Sequence, residues 1–225
     1  ESTPRNTAAA IAFAAFASKP EDILVVTPSD NIIGEMKYYK NAILEAVEKA
    51  LNGFIVTFGI IPIRPEIGYG YIERDGDDVL SFREKPSQEL ALEFIAKGNF
   101  LWNSGMFCFK ASVFLEELQL YAPEVYKKAK IAWENNVDGN LDLDLSMDIP
   151  SISIDYAVME RSKKIKVVSS KFTWSDLGSF ESVYDYLRTI GHPVDDNGNM
   201  VIGTNNYTAF LGMKDTIFVH TDTAN

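Results

Sequence analysis

The chain has 225 residues, 46% apolar and 12% aromatic, enough to build one substantial domain with or without an appendage. Its 32 acidic against 21 basic residues give a formal charge of −11, which argues against a general nucleic-acid binder, because counterion-release binding needs clustered Lys and Arg. One cysteine, Cys108, and two histidines, His192 and His220, exclude an internal disulfide, a multi-cysteine zinc site and a histidine-rich metal cluster.

The opening, Glu1-Ser2-Thr3-Pro4, has no initiator Met, and the expectation is a fragment whose beginning lies upstream. Asn6 or Thr7 can cap an Ala-rich helix that runs through Ala17. "DILVVTPSD", Asp22 to Asp30, is a short continuous apolar run ending in polar residues, which predicts a buried parallel strand. Met36 to Leu51 has the apolar spacing of an amphipathic helix, and "FIVTFGI", Phe54 to Ile60, is a second buried strand. This α, β, α, β alternation predicts an α/β fold with a parallel sheet.

Two shorter strands follow around the Asp75-Gly76 turn, then a helix capped by Ser87 and reaching about Lys97. "NFLWNSGMFCFK" supplies a strand over residues 104–110, with Cys108 read as a buried structural thiol. Ser112 is the predicted cap of the next helix, and Pro123 suits the first turn of another, to about Asn135. Residues 136–150 are acidic and irregular, hence loop. Ser153 caps "IDYAVMERS", "KIKVVSS" is a strand, and Ser179 to Ile190 is a helix. After Gly191-His192-Pro193 the texture changes to short apolar pieces split by Gly and Asn, which predicts a small β appendage. The expected organisation is therefore 1–191 as the main domain and 192–225 as the start of a β segment. No stretch of 18 apolar residues occurs, so no membrane span is expected, and a reducing cytoplasmic setting fits.

Four polar clusters sit at predicted strand ends or in glycine-rich turns, where open parallel sheets bind ligands. Asp30 in Pro28-Ser29-Asp30 is either a Mg²⁺ ligand beside a nucleotide's phosphates or a capping residue. Gly68-Tyr69-Gly70-Tyr71 either lets backbone N–H groups approach a hydroxyl or phosphate, or is a twisted edge strand. In Glu84-Lys85-Pro86 the carboxylate suits sugar hydroxyls and the ammonium a phosphate, with Pro86 biasing Lys85 toward an extended backbone. Asp176 in "WSDLG" is a second candidate metal ligand or a helix-dipole partner. With so few histidines no Ser-His-Asp or Cys-His set is credible, and no carboxylate pair is marked out for glycoside hydrolysis.

"RNTAAAIAFAA", "VVTPSD", "VTFGIIPIRPEIGYGYIE", "FREKP", "LWNSGMFCFK", "SISIDYAVMER" and "WSDLGSF" follow one another between residues 5 and 180. In this order they resemble the sugar-1-phosphate nucleotidyltransferases, and "WNSGMF" with "SIDYAVME" resembles the mannose-1-phosphate guanylyltransferase branch. The resemblance implies a Rossmann-like mixed, mostly parallel sheet flanked by helices. It also implies a Mg²⁺-dependent reaction of GTP with mannose 1-phosphate, giving GDP-mannose and pyrophosphate. Asp30 and Asp176 then hold the metal, and Glu84 and Asn103 bind sugar hydroxyls. Lys85 binds the sugar phosphate, with Asp30, Lys85 and Asp176 as the catalytic set. Gly70 offers backbone to the sugar. Glu1, Asn6 and Thr7 lie at the base-recognition edge, where Glu1 can accept from guanine N1–H and N2–H₂.

The resemblance implies that the family's glycine-rich loop and its Arg belong upstream of Glu1, and the expectation is that this stretch holds the triphosphate cradle only in part. Asn31 stands where the family usually has His, and residues 136–150 match no family motif. Other sugars or bases of the same family, a bifunctional protein with mannose-6-phosphate isomerase activity in a further domain, and a non-catalytic sugar-nucleotide-binding subunit are the alternative readings. A homodimer is compatible with the sequence. Trp102 is either a wall for the sugar or a packing plate.

Overall fold

The computed structural model describes residues 1–223, so the last two residues of the predicted 192–225 appendage lie outside the described residues. In chain order the first elements are α1 (Asn6–Ala17), β1 (Ile23–Val26), β2 (Ile32–Ile33), α2 (Met36–Leu51) and β3 (Ile55–Ile60). Next come the hairpin β4 (Tyr71–Asp75) and β5 (Asp78–Arg83), α3 (Gln88–Lys97), β6 (Phe100–Lys110), α4 (Ala111–Tyr121) and α5 (Pro123–Glu134). A short α6 (Leu143–Met147), a π-helical turn (Asp155–Met159), β7 (Ile165–Ser170), β8 (Trp174–Ser175), α7 (Phe180–Thr189), β9 (Met200–Ile202) and β10 (Ile217–Val219) complete it. The chain divides into two compact units, one of Glu1–Pro28 and Gly34–Phe172, the other of Ser29–Ile33 and Thr173–Asn225.

The first unit is a six-stranded sheet in the order β1-β6-β3-β7-β5-β4, with β4 also pairing β6. The α/β class holds, but the expectation of a mostly parallel sheet does not. β3 and β7 run parallel, whereas β1–β6, β3–β6, β4–β5, β4–β6 and β5–β7 are antiparallel. An apolar run bounded by turn residues identifies a strand, yet carries no information on its partner's direction. β1 shows the consequence. It pairs β6 antiparallel and leaves Val25 42% exposed, so it is a half-covered strand and not a buried parallel one.

β3 is buried at all six positions, and β6 and β7 pair with its two sides. The Ala-rich α1 buries Ala8, Ala9, Ala12 and Ala15, small side chains that let the helix lie close against α4 and α5. Around them cluster Ile55, Phe109, Phe114, Ile154 and Val167, with the Phe109 and Phe114 rings stacked at 4.9 Å. α2 buries Ala42, Ala46 and Ala50, one residue per helical turn, and packs against β3, β6 and β7. Cys108 is fully buried on β6, and burial pushes its thiol up to about 11, as an inert structural residue requires.

Smaller expectations also change. β6 begins at Phe100, so Trp102 and Asn103 are strand residues ahead of the predicted start at Ser104. Ser112 lies inside α4, whose first residue is Ala111. Neither Asn6 nor Thr7 caps α1, because Asn6 has a φ of +67° and Thr7 Oγ1 accepts instead from Ile154 N at 2.9 Å. The segment read as loop contains α6, whose cap Asp142 accepts from Leu145 N at 2.9 Å. "IDYAVM" forms a π-helical turn, a wide geometry that apolar spacing does not reveal.

Gly59 on β3 is held between neighbouring strands. A Cβ there lies 2.8 Å from Leu101 Cβ, 2.9 Å from Val167 Cγ2, and closer still to Leu101 Cδ1. Gly59→Ala is therefore expected to destabilise the protein by about 1–3 kcal/mol through overpacking, read as a lowered denaturant midpoint.

The second unit joins β2 to β8 antiparallel and β9 to β10 parallel. Ser179 and Ser182 form a capping box at the start of α7. Among the described residues, no helix is long and apolar enough to cross a membrane.

Candidate active site

In the first unit, Gly70, Glu84 and Asn103 come together from three separate stretches of chain. Gly70 immediately precedes β4, Glu84 follows β5, and Asn103 lies on β6. Gly70 O accepts from Asn103 N at 2.8 Å. A Cβ on Gly70 lies 2.6 Å from Glu84 Oε2 and 3.3 Å from Asn103 Cβ. The structure thus supplies a reason for glycine that the sequence reading lacked: its missing side chain is the space in which the Glu84 carboxylate sits.

Asn103 owes its setting to a bulge. Thr57 pairs with Phe107 while Gly59 pairs with Asn103, so Ser104, Gly105 and Met106 together stand opposite Phe58. Gly105 has a φ of +72°, a conformation open to glycine at little cost, and such bulges re-aim side chains beside functional sites. Asn103 Oδ1 accepts from Gly105 N at 3.2 Å and from Thr57 Oγ1 at 3.1 Å. Its Nδ2 donates to Asp155 Oδ1 at 3.1 Å. Trp102, next on the strand, is 4% exposed, meets the Tyr69 ring edge-on at 5.2 Å and carries Arg64 over its face. It is a packing plate.

Burial raises the Glu84 carboxyl above the usual carboxylate range, and the neighbouring Asp155 charge adds to this while Lys85 opposes it. Asp155 is also raised, chiefly by burial, with its hydrogen bonds to Ser153 and Asn103 and the Lys85 charge acting the other way. Lys85 is exposed and has a φ of +44°, so the extended backbone expected before Pro86 is not what forms. A non-glycine residue in this region stores strain, and such strain collects at ligand sites. Two carboxylates, a carboxamide and a cation are thereby grouped as hydroxyl and phosphate recognition requires.

Asp155 and Thr57 were not singled out by sequence reasoning. The available signals were an acidic residue opening the apolar "IDYAVM" and a lone hydroxyl inside "FIVTFGI". Glu1, Asn6 and Thr7 are exposed around the start of α1. Thr7 ties that start to Ile154, the neighbour of Asp155, whereas Asn6 Oδ1 accepts from Thr7 N. No hydrogen bond among the described residues joins Glu1 or Asn6 to the Gly70 group.

Asp30 and Asp176 both belong to the second unit. The β2–β8 ladder pairs Ile32 with Ser175, so Asn31 immediately precedes β2 and Asp176 immediately follows β8, with Asp30 one residue further out. Asp176 Oδ1 accepts from Gly178 N at 3.1 Å, and a Cβ on Gly178 lies 2.7 Å from Asp176 Oδ2. Between them Leu177 is held at a φ of +49°. Glycine in "WSDLG" therefore makes room for the aspartate, which is half-buried while Asp30 is exposed. Among the described residues no group of three or more His, Cys, Asp or Glu is placed to hold a metal. A pair of carboxylates suits Mg²⁺, which keeps several waters and takes one or two carboxylates beside substrate phosphates.

A putative mannose-1-phosphate guanylyltransferase of Vibrio cholerae is 37% identical over 100% of this chain and 53% of its own length. A Helicobacter pylori structure described as mannose-6-phosphate isomerase superposes with a TM-score of 0.73 at 43% identity, covering 77% of this chain and 71% of that one. A Thermus thermophilus structure described as a mannose-1-phosphate geranyltransferase gives 0.74 at 32%, covering 89% and 59%. The chain spans about half the length of the curated relatives it matches. The nucleotidyl transferase model matches residues 1–192, a span that holds every motif described above, and the chain belongs to that family.

Proposed function

We propose that this chain is the nucleotidyltransferase part of an enzyme that joins GTP and mannose 1-phosphate into GDP-mannose and releases pyrophosphate. The observation that carries the reading is the convergence of Gly70, Glu84 and Asn103, with Lys85 adjacent in sequence to Glu84. The V. cholerae relative's name, over the whole chain, supports the mannose and guanylyl assignments. In this reading Glu84 accepts from mannose hydroxyls, Asn103 contacts a further hydroxyl, and Lys85 pairs with the sugar phosphate. Glu1 accepts from guanine N1–H and N2–H₂, with Asn6 and Thr7 at the same base-recognition edge. Asp30 and Asp176 hold Mg²⁺, which when bound polarises the α-phosphate and neutralises its charge. The protein's contribution is orientation of the attacking sugar phosphate, since phosphoryl transfer rests on positioning and charge more than on covalent help.

Incubating the full-length protein with GTP, Mg²⁺ and mannose 1-phosphate is expected to release pyrophosphate, with UTP and dTTP as poorer donors. Correctly folded protein that releases none overturns the proposal. Lys85→Ala is expected to raise KM for mannose 1-phosphate about 10-fold or more, as loss of a charge-assisted contact does. An unchanged KM removes Lys85 from the phosphate site. A second reading adds isomerisation of mannose 6-phosphate by the same polypeptide. The H. pylori name favours it, and conversion of mannose 6-phosphate to fructose 6-phosphate tests it.

A further inference from the structure

The polarity of the groups around Asn103 determines which way its carboxamide faces. Gly105 N–H can only donate, so the atom 3.2 Å from it must be the amide oxygen. The Thr57 hydroxyl lies 3.1 Å from the same oxygen and 3.4 Å from Met106 O, and donation to the nearer acceptor fills the two lone pairs of the amide oxygen. The amide nitrogen then faces Asp155 Oδ1 at 3.1 Å, where a carboxylate accepts one of its two N–H bonds. The second N–H has no partner among the described residues. An amide held at both ends in this manner cannot flip, and it can offer a ligand only a donor.

We infer that Asp155 is a positioning residue for the sugar subsite: it locks the Asn103 carboxamide so that its remaining N–H is presented to an oxygen of the sugar phosphate. Glu84, whose carboxylate sits where a Gly70 side chain would be, supplies the complementary acceptor. Acceptor and donor together recognise hydroxyl groups on one sugar, each of which can donate once and accept as well. The π-helical turn that begins at Asp155 and the bulge at Gly105 belong to the same device, since one delivers the carboxylate and the other the amide. Burial of Asp155 beside Glu84 makes the arrangement costly to maintain, and Lys85 offsets part of that cost. This inference rests on the sugar-phosphate reading given above and assigns a residue which that reading does not use.

The test compares Asp155→Ala, Asp155→Asn, Asn103→Ala and the Asp155→Ala/Asn103→Ala double variant in the full-length protein. Asp155→Ala is expected to raise KM for mannose 1-phosphate roughly 10-fold while leaving KM for GTP near the wild-type value. Asp155→Asn is expected to recover most of that loss, because its carboxamide oxygen can still accept from Asn103 Nδ2. The double variant is expected to be no worse than Asn103→Ala alone, because the two residues act as one unit. An unchanged sugar KM in folded Asp155→Ala, or an equal further loss in the Asn103→Ala background, overturns the assignment. A readout independent of turnover is the Asn103 side-chain amide pair in ¹H–¹⁵N spectra, assigned by its disappearance in Asn103→Ala. In wild-type protein the two amide protons are expected to be well separated, and Asp155→Ala should shift and broaden them. Wild-type protein that shows this signature without releasing pyrophosphate defeats the guanylyltransferase reading alone, whereas an amide pair unmoved by Asp155→Ala defeats the positioning role whatever the activity.

Discussion

Replacing Asp176 with Asn is expected to lower turnover about 100-fold or more, because stabilisation of transition-state charge by a bound metal supplies several kcal/mol. The substitution removes the charge and keeps the shape of the side chain. Asn keeps an oxygen that can accept from Gly178 N, so the turn through Leu177 survives, and the space left by the absent Gly178 side chain still accommodates the group. Thermal stability should therefore stay close to wild type, which separates a lost ligand from a lost fold. Raising the Mg²⁺ concentration is expected to recover part of the activity if weakened metal binding is the cause. Near-wild-type turnover at ordinary Mg²⁺ takes Asp176 out of the metal site.

Gly70→Ala is expected to raise KM for mannose 1-phosphate by roughly 10- to 100-fold, the range for losing one charge-assisted hydrogen bond. The added methyl lies 2.6 Å from Glu84 Oε2, too close for the carboxylate to stay, and 3.3 Å from Asn103 Cβ. Glu84 must rotate away or β4 must shift, and either change displaces the group that accepts from the sugar. The mechanism is checked in a Glu84→Ala background, where Gly70→Ala should cost little further, as coupled neighbours do not add. If the two losses multiply, Gly70 acts through its backbone and not through the space it leaves for Glu84. KM for GTP is the internal control and is expected to change little.

Much of the candidate site could be proposed from sequence because its residues lie in short motifs whose chemistry is local. "EKP" sets a carboxylate next to a cation, and "WSDLG" sets an acid beside a glycine whether or not the rest of the chain is known. The helices were legible for a similar reason. α2 and α7 carry a 3.6-residue spacing, and Ser87 and Ser179 bond to groups three residues on. Sheet direction was not legible, since it depends on which distant strands meet. β1 and β3 flank β6 antiparallel although both lie among helices in an order that suggests parallel neighbours.

What the sequence determined by itself is therefore a set of candidate groups and their immediate backbone: Asp30, Gly70, Glu84, Lys85 and Asp176 outside regular elements, and Asn103 within a strand. The tertiary structure alone decided which of them touch and what holds them. Thr57 and Asp155 lie 46 and 52 residues from Asn103, and no spacing rule connects partners so far apart. Nor does a motif disclose that Gly70 is glycine to make room for Glu84, or that a bulge at Gly105 turns Asn103 toward Asp155. Local chemistry follows from neighbours along the chain, whereas hydrogen-bond partners and close contacts follow from strand register, which long-range burial sets.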